Sequence, residues 1–182
     1  ILVLSVFNGF EDLISGIFQK FNPDIKVTPV QGKTFPLDSV VVLKLKKVEG
    51  VNDVSATLEE LALFDYQNSQ TFGVLKGVDK NYTKVTSMTD NMVEGKYILD
   101  AEDPPPVILG AGVAQRLAVD IEDKLTYLRV YAPKRLNRGP LETPFSSRFI
   151  DPVGVFAIQQ EFDQEYVITT LGFARDIFQY SD

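Results

Sequence analysis

From residue 25 to residue 178 this chain keeps changing its period. Apolar residues at every second position mark a half-buried strand, and apolar residues three and four apart mark a helix. A chain that alternates between short stretches of both can only build a mixed fold, and the expected class is α+β. Residues 25–30 (Ile-Lys-Val-Thr-Pro-Val) alternate as a strand. Pro36 and Asp38 open a helix with Leu37, Val40, Val41, Leu43, Leu45 and Val48 as its apolar positions, and Gly50 ends it. Residues 51–66 read as a long strand region, so residues 25–66 are expected to form one β-α-β unit. Residues 70–78 give another strand. Residues 79–105 are polar and turn-rich. A short strand at 107–109 leads into a helix at 111–117, whose apolar face is Val113, Ala114 and Leu117. An acidic turn follows at 120–123, then strands at 125–131, 149–158 and 166–169, and a final helix at 171–178. No internal repeat and no low-complexity tract interrupts this order.

The first residues follow another rule. Ile1 to Phe7 are apolar almost all round. A membrane span needs about 20 such residues, so this run cannot cross alone. Phe10, Leu13, Ile14, Ile17, Phe18 and Phe21 then fall on one helical stripe, with Glu11, Asp12, Ser15, Gln19 and Lys20 on the wet side. Two readings fit. One continuous helix leaves a bilayer near Asn8, or a buried strand precedes a helix capped by Asn8 with Glu11 in the capping-box position.

Composition excludes several kinds of chemistry. The chain has 182 residues, enough for one large domain or two small ones with a real core. It contains no Cys and no His. There is thus no thiolate nucleophile, no disulfide, no Ser–His pair and no imidazole ligand for a metal. The absence of Cys is compatible with an oxidising compartment. A net charge of −7 speaks against nucleic acid as a partner, because phosphate binding needs a dense Lys/Arg surface.

Three features invite an enzymatic reading. Gly110-Ala-Gly112 stands between a strand and a helix, but a dinucleotide fingerprint needs a small residue at position 115, where this chain has Gln. A tight strand-to-helix turn explains the two glycines. Carboxylates are dense at Glu59-Glu60, at 100–103 and at 120–123, yet none follows the frame of a calcium-binding loop, and solvated turns explain them. Ser146 and Ser147 have no base in a Ser-x-x-Lys arrangement. No catalytic residue, metal ligand or cofactor is expected. A small carboxylate-based enzyme is the less favoured alternative.

Residues 133–148 carry the strongest functional signal. They separate two strands, and hairpin connections usually need about 2–5 residues. Lys134, Arg135, Arg138 and Arg148 stand there against one acid, Glu142, in an acidic chain. Pro133, Pro140 and Pro144 limit backbone freedom and so lower the ordering cost of binding. Leu136, Leu141 and Phe145 have no evident core to enter. A stiffened, basic, partly apolar protrusion reads as a docking arm; a mobile surface loop is the plainer alternative.

The order of short motifs then resembles a known family. Leu4-Ser-Val-Phe-Asn-Gly-Phe-Glu11 is followed by Pro23-Asp-Ile-Lys-Val27, Val48-Glu-Gly-Val-Asn-Asp-Val54, Gly77-Val-Asp79 and Gly95-Lys-Tyr97. Val107-Ile-Leu-Gly110, Leu117-Ala-Val-Asp-Ile-Glu-Asp-Lys-Leu125 and Val153-Gly-Val-Phe156 complete the series. Together they resemble the periplasmic domain of LolC/LolE-type lipoprotein-releasing permeases, within the MacB-like class of ABC transporters. The resemblance implies a two-lobed MacB-like periplasmic core domain: part of a porter-like β-α-β lobe plus an inserted mixed α/β lobe. On that pattern residues 1–21 end the first transmembrane helix and its periplasmic extension. Residues 22–69 give the first half of the porter-like lobe, residues 70–182 the inserted lobe, and the rest of the porter-like lobe would follow Asp182. The resemblance also implies a place on the periplasmic side of the inner membrane and no enzymatic activity. The implied partners are a periplasmic lipoprotein chaperone, a partner permease subunit, a cytoplasmic ATPase subunit and the lipoprotein substrate. The loop at 133–148 occupies the place of the family's chaperone-binding hook. Lys134, Arg135, Leu136, Arg138, Pro140, Leu141, Pro144, Phe145 and Arg148 are its candidate contacts. A MacB-like efflux permease or an FtsX-like regulatory permease domain is the neighbouring alternative.

Overall fold

The computed structural model describes residues 21–36, 39–100, 103–135 and 143–180. The apolar run at 1–7 and the helical stripe that follows it lie outside the described residues, except Phe21. In chain order the elements are α1 (Ser39–Lys46), β1 (Thr57–Tyr66), β2 (Ser69–Val78), α2 (Tyr82–Val85), a 3-10 turn (Met88–Asn91), β3 (Met92–Gly95), β4 (Pro106–Gly110) and α3 (Ala111–Leu117). Then come β5 (Leu128–Pro133), β6 (Phe145–Phe156), α4 (Gln160–Glu165), β7 (Tyr166–Thr170) and α5 (Leu171–Ile177).

The strands form one sheet in the order β3-β6-β4-β7-β2-β1-β5, and β5 pairs back onto β6. Six strands therefore close into a ring, a mixed barrel with β3 attached to β6 beside it. β6 makes the closure. Its first half pairs antiparallel with β5, from Pro133↔Phe145 to Leu128↔Ile150. Its second half pairs parallel with β4 and antiparallel with β3. β1 and β2 form a hairpin in full register from Thr57↔Val78 to Tyr66↔Ser69, turned by Gln67 at φ 53 and Asn68.

Alternation along each strand sorts side chains into two cores. Inside the ring, Leu58, Ala62, Phe64 and Tyr66 of β1 meet Leu75, Val107, Leu109, Leu128, Val130, Ile150 and Val167. Val113 and Leu117 of α3 and Phe173 and Ile177 of α5 pack against the same cluster. A second core covers part of the outer face, where Val78, Ile108, Phe156 and Ile168 are buried under Phe21, Tyr82 and Met88. Burying a large apolar side chain contributes about 1.5–3 kcal/mol. The described residues include no helix long and apolar enough to cross a membrane.

Close packing fixes Gly77. A Cβ built there would lie 2.3 Å from the Cβ of Ala174 on α5. Gly77→Ala is therefore expected to destabilise the chain by about 2 kcal/mol through overpacking, read as a lower urea midpoint with an unchanged slope.

Two expectations are corrected. Residues 25–30 form no strand: residues 23–36 run as an irregular strap in which Ile25, Val27 and Val30 are exposed. Among the described residues the alternation there meets no neighbouring strand, and Pro29 cannot donate to one. The β-α-β unit at 25–66 is thus not formed, and β1 is paired on both sides, with β2 and with β5 at Leu63↔Tyr131 through Asp65↔Arg129. The β1–β2 hairpin also spans the division expected at residue 70, and both sides of that division share one barrel.

Candidate partner-docking site

The segment expected to form a docking arm leaves the barrel where β5 ends and returns where β6 begins. The two strands reach further than expected: β6 starts at Phe145, so the connection is residues 134–144, not 133–148. Ser146, Ser147 and Arg148 look like loop residues because their side chains meet solvent. Their backbone nevertheless pairs with Ala132, Tyr131 and Val130. The neck is closed by the Lys134 amide, which donates to the Pro144 carbonyl at 2.8 Å.

Five of the nine candidate contacts are described. Pro144 and Phe145 are exposed, Phe145 by 54%. Lys134 is half-buried. Arg148 is exposed and lies 3.6 Å from the Asp176 carboxylate on α5. Arg135 is exposed but lies back against the barrel: its guanidinium lies 3.4 Å from the centre of the Tyr180 ring and donates to Glu60 at 3.3 Å. Leu136, Arg138, Pro140 and Leu141 fall outside the described residues.

Sequence reading missed the residues beside the neck. Arg129, Tyr131 and Phe149 share the outer face of β5 and β6 with it. The Arg129 guanidinium sits 4.5 Å from the centre of the Phe149 ring and donates to the Tyr131 hydroxyl at 3.2 Å. Across the strands, Tyr131 pairs with Leu63, and Leu63 pairs with Phe72, which is exposed by 67%. Period-two alternation through Arg129, Tyr131 and Pro133 was the available signal, but nothing local says that this face stays open.

The catalytic alternatives find structural uses instead. A Cβ at Gly110 would lie 2.4 Å from the Asp163 carbonyl oxygen, so this glycine admits α4 against β4. Asp120 accepts the Glu122 amide at 2.9 Å. Asp123 accepts the Thr126 hydroxyl and the Leu125 amide, and these bonds hold its carboxyl below the usual range. Burial pushes the Asp163 carboxyl up, and it accepts the Ile158 amide at 2.8 Å. No cluster of three or more His, Cys, Asp or Glu converges among the described residues.

The adjacent Glu59 and Glu60 point to opposite faces of β1. Glu59 faces outward, opposite Lys76 in the β1–β2 register, and lies 3.2 Å from its ammonium. It also receives Lys26 from the strap at 3.3 Å. Lys76 is 2% exposed, with its ammonium 4.2 Å from the Phe21 ring centre and 5.0 Å from that of Tyr82. Burial lowers its pKa to about 8, against the opposing pull of Glu59. Burial alone would raise Glu59, but Lys76 and Lys26 together outweigh it and hold the carboxyl below its ordinary value.

Comparison with known proteins agrees with this architecture. Among solved structures, the extracellular domain of the noncanonic ABC-type transporter YknZ from Gram-positive bacteria superposes with a TM-score of 0.50 at 15% identity. The match covers 77% of this chain, which spans 65% of the length of that domain. No curated protein sequence matches the chain. Residues 1–139 match the family described as the MacB-like periplasmic core domain. The chain therefore belongs to the MacB-like periplasmic core domain family.

Proposed function

We propose that this domain serves a permease that releases lipoproteins from the inner membrane, and that the β5–β6 arm receives the soluble periplasmic chaperone that carries them away. The carrying observation is the arm itself: a basic, proline-bearing connection on a closed neck, raised on two paired strands of a rigid barrel. Basic side chains near the arm speed encounter with an acidic partner, an effect that salt weakens. Exposed apolar groups such as Phe145, on a backbone already restricted by proline, supply the holding contacts. The full permease would work with a partner permease subunit and a cytoplasmic ATPase.

Replacing residues 136–142 by Asn-Gly tests the reading. A two-residue turn suits a hairpin already paired at Lys134 and Pro144. The shortened chain is expected to keep its melting temperature and to lose chaperone binding in calorimetry. Wild-type affinity in the shortened chain would remove the arm from the interface.

A further inference from the structure

Glu60 sits at the mouth of the barrel with its side chain 13% exposed. A carboxylate so covered must be paired, because desolvation without partners costs several kcal/mol. Three segments far apart in sequence supply the partners. Lys33 of the strap approaches to 2.6 Å, Arg135 of the arm to 3.3 Å, and the Tyr180 hydroxyl, beyond α5, donates at 2.6 Å. The contacts interlock, since Tyr180 also lies against the Arg135 guanidinium.

The strap begins at Phe21, which stacks on Phe162 at 4.4 Å and accepts the Tyr82 hydroxyl on its carbonyl at 2.8 Å. Two further ties hold it: Lys26 to Glu59 and Lys33 to Glu60. Neighbouring residues of β1 therefore grip both halves of the strap, and the second grip is shared with the arm.

We propose that Glu60 is a positioning residue of the docking arm: its carboxylate couples the strap that follows residue 21 to the neck at Lys134 and Pro144. Lys33 and Arg135 are like charges on one carboxylate, so displacing the strap withdraws Lys33, leaves Glu60 to Arg135 alone and tightens the neck. The coupling runs both ways, because linkage between two sites is reciprocal, so a partner that takes Arg135 from Glu60 also tightens the strap. This role rests on the docking reading of the arm.

Amide hydrogen exchange in the free chain tests it without any partner. Lys33→Met removes a tie outside the arm, and Glu60→Gln keeps the shape while removing the charge. Glu60→Gln is expected to speed exchange of the Lys134 amide about two- to fivefold, the size of an ion pair of this exposure, and Lys33→Met to slow it by up to the same factor. The amides of β4 should keep their protection, which separates local opening from global unfolding. Lys33 is exposed and its replacement leaves the core intact. Unchanged or faster exchange at Lys134 in Lys33→Met would overturn the coupling, as would equal acceleration at Lys134 and in β4 in Glu60→Gln. The arm-shortening experiment judges the docking reading separately.

Discussion

Glu59→Ala is expected to cost about 2 kcal/mol of stability at pH 7. The reason is Lys76. Its ammonium is enclosed by Phe21, Tyr82 and Tyr166, and Glu59 is its ion-pair partner. Removing the carboxylate leaves a buried charge uncompensated. Lys76 can escape by releasing its proton, which caps the loss. Lys76→Met should change stability by about 1 kcal/mol or less, because Glu59 keeps Lys26 and an unbranched apolar chain suits the aromatic cage. Urea unfolding of the two variants gives the comparison. Equal losses would mean that the pair is not what holds this part of the barrel.

Stability is expected to rise by about 2 kcal/mol from pH 8 to pH 10, an unusual direction for an acidic protein. Lys76 has a pKa of about 8 in the folded chain, against an ordinary value of 10.5. Below pH 8 both states hold the proton and the folded state bears the full cost of burying it. Between the two values the unfolded chain holds a proton that the folded chain has released, so stability increases with pH. Above pH 10 the slope reverses. Burial raises Tyr66, Tyr82, Tyr97 and Tyr166, so unfolding lets these phenols ionise where the folded state forbids it. Thermal melts across this range should show a maximum near pH 9–10 that Lys76→Met removes. The Glu59→Ala deficit should also shrink at the alkaline end, where Lys76 is neutral with or without its partner.

Local pattern carried most of the elements and little of their arrangement. Residues 70–78, 107–109, 111–117 and 171–178 were legible because each combines clear periodicity with a boundary residue. α4 was not: Gln-Glu-Phe-Asp-Gln-Glu offers one apolar residue, Phe162, in under two turns. Residues 25–30 of the strap show the opposite failure, since good alternation predicted a strand where no neighbour among the described residues pairs with it. Barrel closure depends on β6 exchanging β5 for β4 and β3 near Asp151 and Pro152, beside a register shift at Val107/Ile108. Such a partner change is a property of distant segments, and period-two alternation continues through it unchanged.

The arm was legible from its excess length, its prolines and its charge. Its supports were not. Glu59-Glu60 read as solvated acids, because adjacency in sequence hides that a strand sends them to opposite faces. Arg135 likewise read as a free contact, although Glu60 and Tyr180 occupy it. Arg129 and Phe149 became visible only once the β5–β6 register placed them side by side.

The same β6 has a mechanical consequence. Ladder bonds lie across the strands they join, so a tug along a strand loads all of them together. A pull on the arm in line with β6 is carried in shear, first by β5 and then by β4 and β3 on the far side of Pro152. A sideways pull instead strains one bond at a time, beginning with that between Lys134 and Pro144. β6 is therefore stiff along its own axis and weak across it, and on the proposed docking role this favours a partner that departs by peeling rather than by drawing straight away.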